Sequence, residues 1–235
     1  MHIENSVAFV TGANRGLGLA FAKALLEGGA RRVYAAARDP AAIGLPGVIS
    51  VRLDVTQPAE IEAAARACGD VDLVINNAGI SRGSALLAPG AIEAAKAEME
   101  TNFFGPLLVS RAFAPVLARN GGGAILDVLS ALSWISFPAF ATYSASKSAA
   151  WSLTNGLRNE LREQGTLVVG LHVGFMDTEM AAGAKAPKSR PADVAKFALA
   201  ALAAGEEEVL ADEVSRGLKQ GLSAQRGVYL GAPGR

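Results

Sequence analysis

The 235-residue sequence predicts a three-layer α/β fold, a doubly wound parallel sheet of about seven strands with helices on both faces. Three observations predict it. Short β-branched or apolar runs alternate with longer Ala- and Leu-rich segments at helical spacing. A glycine-rich turn joins the first such strand to the first such helix. No Pro/Gly/Ser-rich linker divides the chain and no period repeats, so residues 1–235 read as a single domain.

Taken in order, the first strand is Val7–Thr11, followed by Gly12-Ala13-Asn14-Arg15-Gly16-Leu17-Gly18 and a helix that starts near Gly16 and runs to Glu27. Further strands are expected at Val33–Ala37, Ile49–Leu53, Leu73–Ile75, Ala124–Leu129, Leu167–His172 and Glu208–Ala211. The helices between them start near Pro58, Ala91, Gly105, Thr142, Pro191 and Asp212. Thr56-Gln57-Pro58-Ala59-Glu60 and Ser189-Arg190-Pro191-Ala192-Asp193 carry proline and an acid in the first turn, where both favour a helix start. Gly121-Gly122-Gly123 turns the chain into a strand. Asp177–Lys188 has no clear periodicity and reads as a mobile loop, with a frayed helix over Glu179–Lys185 as the alternative. Residues 177–190 are the expected substrate loop.

Composition excludes several classes of function. Lys and Arg number 22 against 22 Asp and Glu, which leaves no basic surplus for nucleic acid or an anionic membrane. The chain is 51% hydrophobic and 19% charged, too apolar for disorder. No uncharged apolar run reaches the roughly 18 residues of a membrane span. Cys68 is the sole cysteine, and with His2 and His172 as the only histidines it cannot assemble a zinc-type site, so no metal is expected. Neither a positive leader nor a long apolar core opens the sequence, and a cytoplasmic protein is expected.

Strand, glycine turn and helix in succession direct free backbone N–H groups and a helix N-terminus at a pyrophosphate. The candidates in the turn are Gly12, Asn14, Arg15, Gly16, Leu17 and Gly18, spaced T-G-x-x-x-G-x-G rather than the more usual G-x-G-x-x-G. An NAD-type site places an acid against the ribose 2′-hydroxyl about 20 residues past the glycines. Here Ala37 occupies that place and Arg38 follows it. Arg15 and Arg38 can together grip a 2′-phosphate, which favours NADP(H) over NAD(H). A one-residue shift in register would instead bring Asp39 to the acid position.

Thr142-Tyr143-Ser144-Ala145-Ser146-Lys147 opens a helix, so Tyr143 and Lys147 share one face. A phenol with a pKa of about 10 is a poor acid–base group at neutral pH, and a neighbouring cation lowers that value. Ser130 follows an apolar strand and so stands at the carboxyl edge of the sheet, where ligands bind in such folds.

Together these residues resemble the short-chain dehydrogenases/reductases. The matching elements are Thr11-Gly12-x-x-x-Gly16-x-Gly18, Leu53-Asp54-Val55, Asn76-Asn77-Ala78-Gly79, Asn102, Ser130, Tyr143-x-x-x-Lys147 and Gly174-x-x-x-Thr178, in family order from residue 5 to about 215. The resemblance implies a Rossmann-type fold and hydride transfer between a nicotinamide and a carbonyl or alcohol carbon. It implies that Tyr143 is the general acid/base, that Ser130 hydrogen-bonds the reacting oxygen, and that Lys147 lowers the Tyr143 pKa and holds the nicotinamide ribose. Asn102 would anchor a water that relays protons through Lys147. Asp54 and Val55 would meet the adenine, Asn76, Ala78 and Gly79 would line the nicotinamide-ribose site, and Gly174 and Thr178 would sit beside the nicotinamide, with Thr178 on its carboxamide.

Two departures from the family pattern carry expectations. Val173 stands where most members have proline, so the turn through Gly174 is expected to be less rigid. The short loop after Thr178 and the short C-terminal end imply a shallow or open pocket. Its expected walls, Ile80–Ser84, Leu132–Phe140 and Phe175–Met180, supply Trp134, Ile135, Phe137, Phe140, Phe175, Met176 and Met180 without an obvious charged anchor. They favour a small apolar or aromatic ketone, aldehyde or secondary alcohol. The helix with Lys147, Trp151, Leu153, Leu157 and Leu161, and the one with Phe104, Leu108 and Phe113, look apolar over more than one face, and a homodimer or homotetramer is expected. A non-catalytic dinucleotide sensor or scaffold is the alternative function. It has little use for Tyr143. A sugar-nucleotide epimerase needs a longer C-terminal substrate domain than this chain has room for.

Overall fold

In the computed structural model, which describes residues 1–183 and 185–231, the strands are β1 (Val7–Thr11), β2 (Arg32–Ala37), β3 (Ile49–Arg52), β4 (Leu73–Asn76), β5 (Ala124–Val128), β6 (Leu167–His172) and β7 (Glu208–Leu210). They form one sheet in the order β3-β2-β1-β4-β5-β6-β7, every pairing parallel. The helices are α1 (Gly16–Glu27), α2 (Pro58–Ala67), α3 (Ala91–Met99), α4 (Gly105–Arg119), α5 (Ala141–Glu160), α6 (Pro191–Ala203) and α7 (Glu213–Gly221). The doubly wound α/β architecture read from the sequence is the one observed.

Side chains alternate across a strand, and β1 shows what that does here. Ala8 and Val10 pack under Phe21, Leu25, Ala198 and Leu202 of α1 and α6, whereas Val7 and Phe9 pack under Ile61, Phe113 and Leu157 of α2, α4 and α5. The two apolar layers bury the sheet from both sides. Phe9 and Phe113 lie 4.6 Å apart between ring centres, and burial of each such side chain contributes about 1.5–3 kcal/mol. Phe113, Leu157 and Leu161 are therefore core residues, a correction to their reading as part of a surface awaiting a partner. Phe104 alone of that group stays well exposed, at 42%.

The sequence reads α3 and α4 as separate helices. They are joined without a break by a π-helical turn, Glu100–Phe104, which swings Asn102 inward. The strand order switches between β1 and β4, and the carboxyl edges of the strands at such a switch point are where folds of this kind form their ligand cleft.

Candidate functional site

The turn after β1 is shaped by glycine. Gly12 has φ +64°, and a Cβ on Gly18 would lie 2.2 Å from the Gly12 carbonyl oxygen, so neither position admits another residue without rearrangement. Thr11 ties this turn to the one after β4: its Oγ1 accepts from the Asn77 and Ala78 N–H groups, both at 3.0 Å, while Asn77 Nδ2 donates to the Thr11 and Gly12 carbonyls. No side chain caps the first turn of α1, and the N–H groups of Gly16, Leu17 and Gly18 make no backbone hydrogen bond among the described residues. A close-packed glycine cradle with open N–H donors fits a pyrophosphate.

Past β3, Asp54 Oδ1 accepts from the Thr56 N–H and hydroxyl, and Val55 is buried beside it. Arg38 is exposed just past β2. Asp39 is committed elsewhere: its carboxylate accepts the Ala41 N–H and caps the 3-10 turn Pro40–Ala42. Arg15 does not stand free beside Arg38 but pairs with Glu179, a residue with no counterpart in the motifs. The two guanidiniums expected to converge are thus not both unengaged.

Asn76 corrects its sequence reading. It is 4% exposed, and its amide donates to Ser110 Oγ and Asp127 Oδ1, away from the cleft. Asp127, buried between Asn76 and the Thr154 hydroxyl, belongs to a polar network under α5 that no local pattern announced. Burial pushes its carboxyl pKa up against those hydrogen bonds.

Around Gly79 the remaining groups converge. A Cβ there would stand 3.2 Å from Asn102 Oδ1 and 3.7 Å from Lys147 Nζ. Asn102 accepts from the Ile80 N–H and donates to the Ile80 carbonyl and Ser146 Oγ, each at 2.9 Å. Lys147 Nζ donates to the Val128 carbonyl at 2.7 Å and lies 5.8 Å from the Tyr143 ring centre. Ser130 Oγ accepts from the Leu132 N–H at 3.0 Å, which leaves its own proton free to donate.

Electrostatics depart from expectation. Burial pushes the Tyr143 phenol up to about 12; a hydrogen bond with Ser130 opposes the rise and the Glu98 carboxylate adds to it. Burial also brings Lys147 down to about 8, with the Asp127 charge opposing. Part of Tyr143 remains exposed, yet loss of water around its hydroxyl is the largest cause of the rise. The phenol is thus raised, not lowered as the sequence reading expects. Glu98 itself is fully buried and accepts the Arg82 N–H at 2.6 Å, so it anchors the loop after Gly79.

Beyond β6, Thr178 lies opposite the glycine turn, its Cγ2 3.4 Å from where a Gly16 Cβ would be. The expected loop is structured in part, as a short 3-10 turn Glu179–Ala181; Ala184 within it lies outside the described residues. Phe140 and Phe175 meet edge to face at 6.4 Å between ring centres, and Phe137 and Met180 are exposed. Trp134 is not a pocket wall. It is 8% exposed and stacks on His172 at 3.9 Å.

A family model described as short chain dehydrogenase matches residues 6–189. The chain belongs to the short-chain dehydrogenase family. It is an oxidoreductase of that family, acting between alcohol and carbonyl carbons with a nicotinamide cofactor. It is 32% identical over 189 residues to a 3-oxoacyl-(acyl-carrier-protein) reductase of Vibrio cholerae, a match that covers 77% of each chain. It is 32% identical over 201 residues to dehydrogenase/reductase SDR family member 7B of Bos taurus, covering 78% of this chain but 62% of the bovine protein. A short chain dehydrogenase from Burkholderia cenocepacia, solved with NADP, superposes with a TM-score of 0.94 at 42% identity over 99% of this chain and 100% of that one. A family member from Burkholderia phymatum, solved with NAD, gives 0.84 at 26% identity over 96% and 97%. Among the described residues no helix is long and apolar enough to cross a membrane.

Proposed function

We propose that this chain is an NADP(H)-dependent carbonyl reductase or alcohol dehydrogenase for small apolar or aromatic ketones, aldehydes or secondary alcohols. The observation that carries the reading is the convergence of Ser130, Tyr143, Lys147 and Asn102 at the sheet edge beside an uncapped glycine turn. The nicotinamide, when bound, supplies or accepts the hydride. Gly12, Asn14, Arg15, Gly16, Leu17 and Gly18 would hold the pyrophosphate side, Asp54 and Val55 the adenine, Ala78, Gly79 and Lys147 the ribose, and Gly174 and Thr178 the carboxamide end. Asn76 contributes through its backbone, since its side chain is turned inward.

Tyr143 keeps its proton throughout the neutral range in the open site, as a donor to a carbonyl oxygen requires. Ser130 donates its free hydrogen to the same oxygen, where negative charge develops. Lys147 keeps its charge below about pH 8, and from there steadies Tyr143 as the phenol loses its proton. With Lys147 charged only below about pH 8, kcat/KM for carbonyl reduction is expected to fall as pH rises through that value. Preference for NADP(H) rests on Ala37 standing where an acid would otherwise be, on Arg38 exposed next to it, and on Asp39 being spent on its own turn. The apolar substrate class rests on Phe137, Phe140, Phe175 and Met180 at the mouth of the cleft, with 177–190 as the substrate loop. Phe104 on the outer face of the π turn supports a homodimer or homotetramer, and the single buried thiol of Cys68 agrees with a cytoplasmic setting.

Tyr143→Phe tests the reading. It is expected to bind NADPH as the parent chain does and to lose roughly 10²–10⁴-fold in turnover across a panel of aryl ketones, aliphatic aldehydes and keto acids. Unchanged turnover would overturn the mechanism, preference for keto acids the substrate class, and equal use of NADH the cofactor preference.

A further inference from the structure

The turn after β6 is proposed above to face the nicotinamide end of the cofactor, yet nothing in its own sequence stiffens it. Val173 leaves φ free where a proline ring would hold it, and the Val173 N–H makes no backbone hydrogen bond among the described residues. The peptide between Val173 and Gly174 is held at both sides: its carbonyl accepts the Ala131 N–H at 2.9 Å, and its N–H donates to Asp212, 38 residues beyond Gly174. One carboxylate oxygen, Oδ2, accepts the Gly174 N–H at 2.7 Å, while Oδ1 accepts the Ser215 N–H at 2.8 Å as the N-cap of α7. The carboxylate thus spans two elements, one oxygen on each. The approach is close at Gly174, since a Cβ there would stand 3.1 Å from Oδ2 and push the carboxylate back by a few tenths of an ångström.

The same helix reaches the turn that carries Ser130. Lys219 of α7 sits over the Trp134 ring at 5.4 Å, Trp134 stacks on His172, and the His172 Nδ1–H donates to the Ser130 carbonyl at 3.1 Å. Asp212 therefore hangs the Gly174 turn from a helix that is already braced against the catalytic edge of the sheet.

We propose that Asp212 is the positioning residue for the nicotinamide end of the cofactor site, holding the Gly174 turn through a carboxylate hydrogen bond in place of a rigid ring at Val173. The proposal rests on the cofactor reading above. A charge-assisted bond to the Gly174 N–H orients the peptide between Val173 and Gly174, and with it the chain that leads to Thr178. Without it the turn must be ordered at the moment of binding, and affinity falls by that cost.

The test measures binding of two probes, NADPH and adenosine 2′,5′-bisphosphate, which lacks the nicotinamide half, together with hydrogen exchange at the Gly174 amide. Asp212→Ala is expected to weaken NADPH about tenfold, to leave adenosine 2′,5′-bisphosphate within about twofold, and to speed exchange at Gly174. Asp212→Asn, which keeps one acceptor oxygen for two N–H groups, falls between and serves if the alanine variant does not fold. Ser215→Ala leaves both carboxylate bonds in place and binds NADPH as the parent chain does. Val173→Pro introduced into Asp212→Ala restores NADPH affinity at least in part, because it supplies the missing restraint and removes an N–H that no backbone group uses. Equal weakening of both probes, unchanged exchange at Gly174, or parental NADPH affinity in Asp212→Ala overturns the proposal while leaving the cofactor reading intact. A parent chain that binds neither probe overturns both.

Discussion

Two turns close over the same sheet edge, one after β1 and one after β6, and they are held by opposite means. The first is held by its own backbone: Gly12 at φ +64°, Gly16 at φ +54°, and Gly18 pressed against the Gly12 carbonyl. The second borrows its restraint from Asp212, a side chain far along the chain. Stiffness built from local conformation can be read from a few adjacent letters. Stiffness supplied by a remote carboxylate cannot.

Gly18→Ala is the strongest way to break the first turn. The new methyl meets backbone rather than a flexible side chain, so a loss of about 3 kcal/mol or more is expected, roughly 6–12 °C in melting temperature. A melting temperature within a degree or two of the parent would show that the close approach is not real.

Acid should break the second turn. Burial holds the His172 imidazole down to about 4, with its hydrogen bond to the Ser130 carbonyl opposing. The unfolded chain protonates this ring near pH 6.5 and the folded chain only near 4, so stability is complete above 6.5 and falls by up to about 3 kcal/mol as pH drops through that window. Denaturant titrations from pH 7 to 4 read the slope, and His172→Gln flattens it. An equally steep slope in the variant would assign the acid sensitivity to other groups.

Thr11→Val sharpens the comparison within the first turn, since it deprives the Asn77 and Ala78 N–H groups of their shared acceptor. A loss of about 2 kcal/mol is expected in urea unfolding. The smallest effect concerns an ion pair between the two regions, Arg15 with Glu179. Arg15 and Glu179 are 66% and 75% exposed, so Glu179→Gln changes stability by less than about 0.5 kcal/mol. By freeing Arg15 it tightens NADPH roughly two- to threefold at low salt, and a weaker complex would mean that Glu179 is part of the binding site.

The legibility of the site follows the same division. The glycine spacing and the shared helix face of Tyr143 and Lys147 are consequences of backbone geometry, and the structure places them as read. Asn76 turned inward because the Asp127 and Ser110 groups beside it form a buried network, and those lie on β5 and α4. Trp134 left the pocket for the same kind of reason, since its stacking partner His172 is on another strand. Tyr143 rose rather than fell because desolvation depends on how tightly several elements crowd its hydroxyl, and the Glu98 carboxylate adds to it.

The sequence by itself determined the parallel α/β sheet, the glycine turn and the spacing of Tyr143 and Lys147, because hydrophobic periodicity and permitted φ values act over a few residues. Tertiary structure alone decided which polar groups are occupied, which are buried and which turns are pinned. Asp212 on Gly174, Glu179 on Arg15 and Glu98 behind Tyr143 are meetings of distant segments, and hydrogen bonding and desolvation act through space rather than along the chain.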